Sequence, residues 1–152
     1  MSDRKTRRPH SLWLELQCGD GVRALPIDRA KARRLALAAL RVDASLTLRF
    51  VGRAEGRALN RRFRQRDYAT NVLTFPYELP GRLQADIVIC TPVVRDEARA
   101  QHKAFDAHLA HLWVHGVLHA QGYEHDDPEA AREMEALEVA VLQLHSGLSA
   151  LR

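Results

Sequence analysis

Three histidines in the last third of the chain have the spacing of a catalytic metal site. His115 and His119 are four residues apart, and such residues lie one above the other on one face of a helix. Gly122 can adopt the left-handed backbone that ends a helix and turns the chain back, which would bring His125 to the same point. Catalytic zinc has three protein ligands and one open position, whereas structural zinc usually has four protein ligands. The spacing predicts one metal ion on His115, His119 and His125, with zinc first and nickel, copper or iron as alternatives.

The same spacing occurs in the metzincin peptidases, with a difference at the second position. Those enzymes carry a glutamate base directly after the first histidine, whereas this chain has Gly116. The motif therefore predicts a metal site and argues against peptide hydrolysis.

Other polar residues around the motif have weaker assignments. Glu124, Asp126 and Asp127 are carboxylates that could orient a ligand ring through its second nitrogen. Asp127 is explained more simply as the N-cap of the next helix, because a proline follows it. We expect His108 and His111 to be ordinary packed or surface residues, with His111 a possible hydrogen-bond partner of a ligand.

A cluster of arginines precedes the motif, and two interpretations of it are about equally good. In a helix, four of its members would form a stripe opposite Leu59 and Phe63. Such a run is usually a solvated helix face. Beside a metal it could instead hold phosphates and compensate the charge that develops during phosphoryl chemistry. The cluster consists of Arg53, Arg57, Arg61, Arg62, Arg64 and Arg66, and the stripe of Arg53, Arg57, Arg61 and Arg64.

Hydrophobic periodicity predicts the elements that position these residues. Strands are expected over 12–16, 45–51, 71–75 and 85–90, with a loop around Pro76, Pro80 and Gly81. Helices are expected over 28–41, 53–66, from Thr91 onward, over 105–121 and from Asp127 onward. In the second helix, the residues expected to face inward are Ala54, Ala58, Leu59 and Phe63; in the last, they are Met134, Leu137, Val141 and Leu144. Mixed strands and helices around one sheet indicate an α+β fold.

Length and composition place limits on the protein class. The chain has 152 residues, 46% of them hydrophobic and 28% charged, which is typical of one globular domain. We assign residues 1–10 to a basic, flexible N-terminal arm and residues 11–152 to a single domain. No apolar run approaches the roughly 20 residues of a membrane helix, and the basic start leads into no apolar segment, so we expect a cytoplasmic protein. Cys18 and Cys90 are expected to be free thiols, and the net charge of +4 permits a polyanionic partner.

Three segments together resemble the YbeY-type (UPF0054) bacterial rRNA maturation endoribonucleases. Their order and spacing match over roughly residues 45–145, and the third segment is the most specific. The segments are Leu59–Asn60 through Phe63–Arg64 to Asp67 and Thr70–Pro76; Ala85–Ile89; and His111–Leu112 through His115–His119 to Gly122–His125. The departures from the family pattern are Ala85 for glycine, Ala120 for leucine and Glu124 for aspartate.

The resemblance implies a fold, a site and an activity. The implied fold is a small, mostly parallel four-stranded sheet flanked by helices, with the histidine helix lining a metal cleft. His115, His119 and His125 would hold one zinc ion, and Arg64 would match the family's required arginine at the rim of the cleft. We further expect Arg64 and Arg61 to bind the substrate. The implied activity is single-strand-specific cleavage of RNA in 16S rRNA 3′-end maturation and ribosome quality control. The partners would be rRNA and the small ribosomal subunit, with no DNA and no membrane.

The chemical step and two other functions remain open at this level. We expect His115 and Arg64 to act in catalysis, with a zinc-activated water as the nucleophile; attack by the RNA 2′-OH on its own phosphate is the alternative. A zinc peptidase is one rival function, supported by the ligand spacing. The other is a non-enzymatic, RNA-binding ribosome assembly factor with a structural zinc.

Overall fold

The predicted α+β fold is confirmed by a computed structural model, which describes residues 10–123 and 127–150, with the side chains of 78 and 144–150 excepted. Four strands and five helices follow in the order β1 (Leu12–Cys18), α1 (Arg29–Ala39), β2 (Ala44–Val51), α2 (Arg53–Arg64), β3 (Val72–Leu79), β4 (Arg82–Cys90), α3 (Thr91–Ala100), α4 (Phe105–Ala120) and α5 (Pro128–Ala150). The predicted N-terminal arm lies almost wholly outside the described residues. In the described part, no helix is long and apolar enough to cross a membrane.

The sheet has the order β1-β2-β4-β3 and is mostly parallel, as expected. β1 and β4 both run parallel to β2, and β3 pairs antiparallel with β4 through a tight hairpin. Because side chains alternate across a strand, β2 directs Leu46, Leu48 and Phe50 to one face and Val51 to the other.

The larger core lies on the first face, where α1 and α4 pack on the sheet and α5 packs against both of these helices. Trp113 of α4 is fully buried there, and its indole N–H donates to the carbonyl of Ala32 in α1 at 2.8 Å. Aromatic and branched side chains of this kind dominate core energetics because each buries a large apolar area. The histidine helix is therefore held on the sheet and against α1, α3 and α5.

The expected inward face of α2 is confirmed only at Leu59, which is half-buried and packs against the smaller core cluster. Ala54, Ala58 and Phe63 are exposed, whereas Gly56 and Asn60 are the buried residues. Gly56 faces the buried Cys90, since a Cβ at position 56 would lie 3.1 Å from that sulfur. The side-chain amide of Asn60 donates to the carbonyl of Tyr68 at 2.7 Å. Helix α2 approaches the sheet through small and hydrogen-bonding residues, which a hydrophobicity pattern does not reveal.

Pro76 lies inside β3 and not in the expected loop, which is reduced to a turn at Pro80 and Gly81. Antiparallel pairs alternate between hydrogen-bonded and non-hydrogen-bonded. Asn71 and Cys90 form a hydrogen-bonded pair, because the amide of Cys90 donates to the carbonyl of Asn71 at 2.9 Å. Pro76 and Ala85 are the fifth pair after it, an odd number of steps, so they form a non-hydrogen-bonded pair. The backbone nitrogen of Pro76 thus faces the outer edge of β3, where no ladder bond is lost and proline is tolerated.

Candidate metal centre

His115 and His119 lie on one face of α4, as predicted. Their ring centroids are 6.3 Å apart and the rings are nearly parallel, with an interplanar angle of 13°. The helix ends at Ala120, and Gly122 has a φ of +100°, which confirms its predicted left-handed conformation. The amide of Gly122 donates to the carbonyl of His119 at 3.0 Å and so reverses the chain. His125, the third expected ligand, lies outside the described residues.

The Nδ1 atom of each of these histidines contacts a group that can only accept a hydrogen bond. Nδ1 of His115 lies 2.6 Å from Oε2 of Glu138, and Nδ1 of His119 lies 3.1 Å from the carbonyl oxygen of Tyr123. A carboxylate and a carbonyl require a proton on Nδ1, and a neutral imidazole then carries its lone pair on Nε2. Metal-binding histidines are oriented in this way, with the other ring N–H donated to a carboxylate or carbonyl.

Glu138 of α5 is the buried acid of this site, and the sequence analysis missed it. The residue is 5% exposed, and its Oε1 lies 2.8 Å from Nε2 of His111. Burial raises the pKa of Glu138, but the hydrogen bonds from His111 and His115 outweigh that effect and bring it down to about 2. The sequence does contain a signal for it. Glu138 lies four residues after the buried Met134, on the apolar face of α5, where an acidic residue is unexpected.

Of the three carboxylates proposed from the sequence, the structure describes only Asp127. Asp127 is the N-cap of α5, since its Oδ1 accepts from the amide of Ala130 at 2.8 Å. Glu124 and Asp126 lie outside the described residues. His111 binds the same carboxylate as His115, so its link to that proposed ligand is indirect and passes through Glu138. His108 is buried and its Nε2 lies 2.9 Å from Oε1 of Glu97. It is the ordinary packed residue that we expected.

Gly116 faces the sheet at a point of close contact. A Cβ at this position would lie 2.9 Å from Cγ2 of Ile87 and 3.6 Å from Oγ1 of Thr74. The residue that replaces the peptidase base is therefore a packing residue, because a longer side chain would collide with the fully buried Ile87.

Arg64, at the end of α2, reaches β3 beside this contact. Its Nη2 donates to the carbonyl of Thr74 at 2.7 Å, and its guanidinium carbon lies 5.3 Å from the ring centroid of Phe75. Thr74 thus contacts Arg64 through its carbonyl and approaches Gly116, the neighbour of His115, through its hydroxyl. The structure brings the arginine and the histidine helix to the same strand.

The arginines of the stripe differ in whether an acidic side chain neutralises them. Arg53 is ion-paired with Asp96, and Arg57 forms two hydrogen bonds with Asp67, at 2.8 and 2.9 Å. The bonds from Arg57 lower the pKa of Asp67, and the charge of Arg61 lowers it further. By contrast, Arg64 forms no ion pair among the residues that the structure describes, and its guanidinium charge is not neutralised there.

The described residues do not complete a metal site by themselves. Over 10–123 and 127–150, no three histidine, cysteine, aspartate or glutamate residues are grouped so as to hold a metal ion. His115 and His119 fit a neutral, two-imidazole half of a site, and the prediction of a complete one depends on His125.

Known proteins resemble this chain over most of its length. The family model described as "Endoribonuclease YbeY" matches residues 27–145. A protein named endoribonuclease YbeY from Cupriavidus metallidurans is 54% identical over 140 residues, which cover 89% of this chain and 71% of that protein. One of the same name from Aromatoleum aromaticum is 54% identical over 132 residues, covering 87% and 86%.

A solved structure agrees with the fold. The solution structure of TM1509 from Thermotoga maritima has a TM-score of 0.61 and 26% identity, and the match covers 86% of this chain and 87% of that one. The matches define a class of α+β hydrolases named for RNA cleavage. The chain belongs to the YbeY endoribonuclease family, which confirms the resemblance seen in its sequence.

Proposed function

We propose that this protein is a zinc-dependent endoribonuclease that cuts single-stranded RNA. His115, His119 and His125 would hold one zinc ion, and Arg64, assisted by Arg61, would bind the scissile phosphate. The observation that carries the proposal is the orientation of the two described ligands, each of which has its Nδ1 on an acceptor, Glu138 or the Tyr123 carbonyl. Family membership supports RNA as the substrate.

The residues present fit a zinc ion. Neutral imidazole is a preferred ligand of zinc, and a carboxylate on the opposite ring nitrogen increases the basicity of the ligand. When bound, zinc acts as a Lewis acid and lowers the pKa of a water ligand to about 7. The donor set equally admits nickel, copper or iron, which remain alternatives.

Arg64 is suited to bind a phosphate because it is held in place and still charged. The bond to the Thr74 carbonyl uses one of the five N–H donors of the guanidinium, and contact with Phe75 fixes its plane. The remaining donors can grip two phosphate oxygens and compensate the charge that develops on them. Arg61 lies on the same exposed face and adds positive charge.

The edge of β3 argues against the peptidase alternative. A peptide substrate binds such an edge by adding a strand, which requires outward N–H and C=O groups. Pro76 provides no N–H there, and the outward carbonyl of Thr74 is occupied by Arg64. Gly116 provides no base, and its contact with Ile87 leaves no room for one.

In the proposed mechanism, the chain's own residues orient the reactants. His115 and His119 would hold the ion through Nε2, and Arg64 would bind the scissile phosphate. We prefer water as the nucleophile, and attack by the RNA 2′-OH is the alternative. The products distinguish the two, because only 2′-OH attack yields a 2′,3′-cyclic phosphate.

We extend the proposal to 16S rRNA 3′-end maturation and ribosome quality control, with the small ribosomal subunit as partner and the cytoplasm as location. This part rests on the family alone. Its test is a depletion strain, in which unprocessed 16S rRNA 3′ ends should accumulate and should be restored by the wild-type gene but not by Arg64→Ala.

The decisive experiment measures cleavage of end-labelled single-stranded RNA by purified, zinc-loaded protein. We expect cutting that a chelator abolishes and that duplex RNA of the same sequence resists. His115→Ala should remove it, and Arg64→Ala should reduce kcat by about 10²–10³-fold, the usual cost of losing one oxyanion donor. Arg53→Ala is the matched control, because Arg53 lies on the same helix but is paired with Asp96.

Each rival predicts a different outcome. If zinc-loaded, folded protein leaves single-stranded RNA intact but cuts an unstructured protein, the peptidase is correct. If it cuts neither, binds RNA, and unfolds when zinc is removed, the non-enzymatic assembly factor is correct. Equal loss of cleavage in Arg64→Ala and Arg53→Ala would remove the specific role given to Arg64.

A further inference from the structure

Glu138 is held between two histidines of another helix. One carboxylate oxygen binds Nε2 of His111 at 2.8 Å and the other binds Nδ1 of His115 at 2.6 Å. The side chain is only 7% exposed. Burying a carboxylate is costly unless its oxygens are bound, and the two histidines bind both oxygens of Glu138.

We propose that Glu138 is the positioning residue of the metal centre. Its carboxylate holds the proton of His115 on Nδ1, and so makes Nε2 the ligand atom. The inference rests on the proposed zinc site and extends it to a residue of α5, 23 positions away from the histidine it orients.

His111 supports Glu138 and is not itself a ligand in this proposal. The spacing of His111, His115 and His119 would allow any two neighbours to share a metal. However, Nε2 of His111 is directed to Glu138, whereas His115 uses Nδ1 for the same carboxylate. His115 therefore keeps Nε2 for a metal, whereas His111 uses its Nε2 on the carboxylate. In this proposal, His111 holds the carboxylate of Glu138 in place.

A second histidine–glutamate pair, between α4 and α3, supplies a matched control. His108 binds Glu97 of α3 at 2.9 Å, and the same carboxylate accepts from the side-chain amide of Asn71. Glu97→Gln and Glu138→Gln are the same isosteric change, each beside a histidine of the same helix. Only the second should affect the metal centre.

The experiment measures zinc affinity of the full chain by competition with a chromogenic chelator. Glu138→Gln should weaken zinc binding about 10–100-fold, the usual effect of removing such a partner, and Glu97→Gln should leave it unchanged. His111→Gln should weaken it less than Glu138→Gln. If Glu138→Gln binds zinc as tightly as wild type, or if both glutamine variants weaken it equally, the positioning role is refuted.

Long-range ¹⁵N NMR of the metal-free, folded protein gives a second measurement, which does not depend on zinc or on activity. His115 should be protonated on Nδ1 in the wild type and should become a mixture of tautomers in Glu138→Gln, because the amide can also donate. An unchanged tautomer would contradict the proposal, even if the variant lost affinity through a weaker fold. If both readouts are as expected but the zinc-loaded wild-type protein cuts no RNA, the nuclease proposal alone is refuted.

Discussion

Gly116→Ala tests whether the glycine of the histidine motif is required by packing. In a helix interior, alanine is more favourable than glycine by about 0.8–1.0 kcal/mol. Against this, the new Cβ would lie 2.9 Å from Cγ2 of Ile87, a methyl on a fully buried strand residue that has no free end to move. Overpacking of this kind costs about 1–3 kcal/mol. We therefore expect a net destabilisation of about 1 kcal/mol, the difference between these two effects.

The matched background is Ile87→Ala, which removes the methyl that causes the collision. This change alone should cost about 2–5 kcal/mol. In that background, Gly116→Ala should be stabilising by about 1 kcal/mol, because only helix propensity remains. The four proteins form a double-mutant cycle with an expected coupling of about 2 kcal/mol, within the range for residues in contact.

Urea denaturation followed by circular dichroism measures all four free energies of unfolding. If Gly116→Ala stabilises the wild-type background, or if the coupling is near zero, the collision with Ile87 is not what excludes a side chain. Gly116→Glu, which restores the peptidase motif, should unfold the chain and should not confer peptide hydrolysis.

Three further predictions concern local structure. Asp127→Ala should lower the free energy of unfolding by about 1 kcal/mol in urea denaturation, because the N-cap of α5 is lost, and Asp127→Ser should retain most of it. Pro76→Ala should change the same quantity by less than about 1 kcal/mol, since its position is not hydrogen-bonded to β4, whereas Phe75→Pro should cost about 3 kcal/mol through a lost ladder bond. A thiol reagent should modify the exposed Cys18 in the native protein and the buried Cys90 only in denaturant, and Cys18→Ser should abolish the native reaction. Rapid native reaction of both thiols would contradict the described burial.

The sequence by itself determined the elements and the local devices. Alternation and helical spacing depend on neighbours within a few residues, so the nine elements found in the described residues were predicted, with errors at their ends. The left-handed Gly122, the N-cap Asp127 and the shared face of His115 and His119 are equally local. Family resemblance added Arg64, which no local pattern distinguished from its neighbours.

Only the tertiary structure decided how the site is assembled. Glu138 reaches His115 across 23 residues, and Arg64 reaches β3 because α2 packs beside that edge. The packing face of α2 was predicted correctly only at Leu59, since its buried residues are a glycine and an asparagine. These contacts depend on which helices and strands pack together when apolar side chains are buried away from water. That packing is a property of the whole fold and not of any local segment. The motif thus identifies the histidines, and the fold determines which nitrogen each presents.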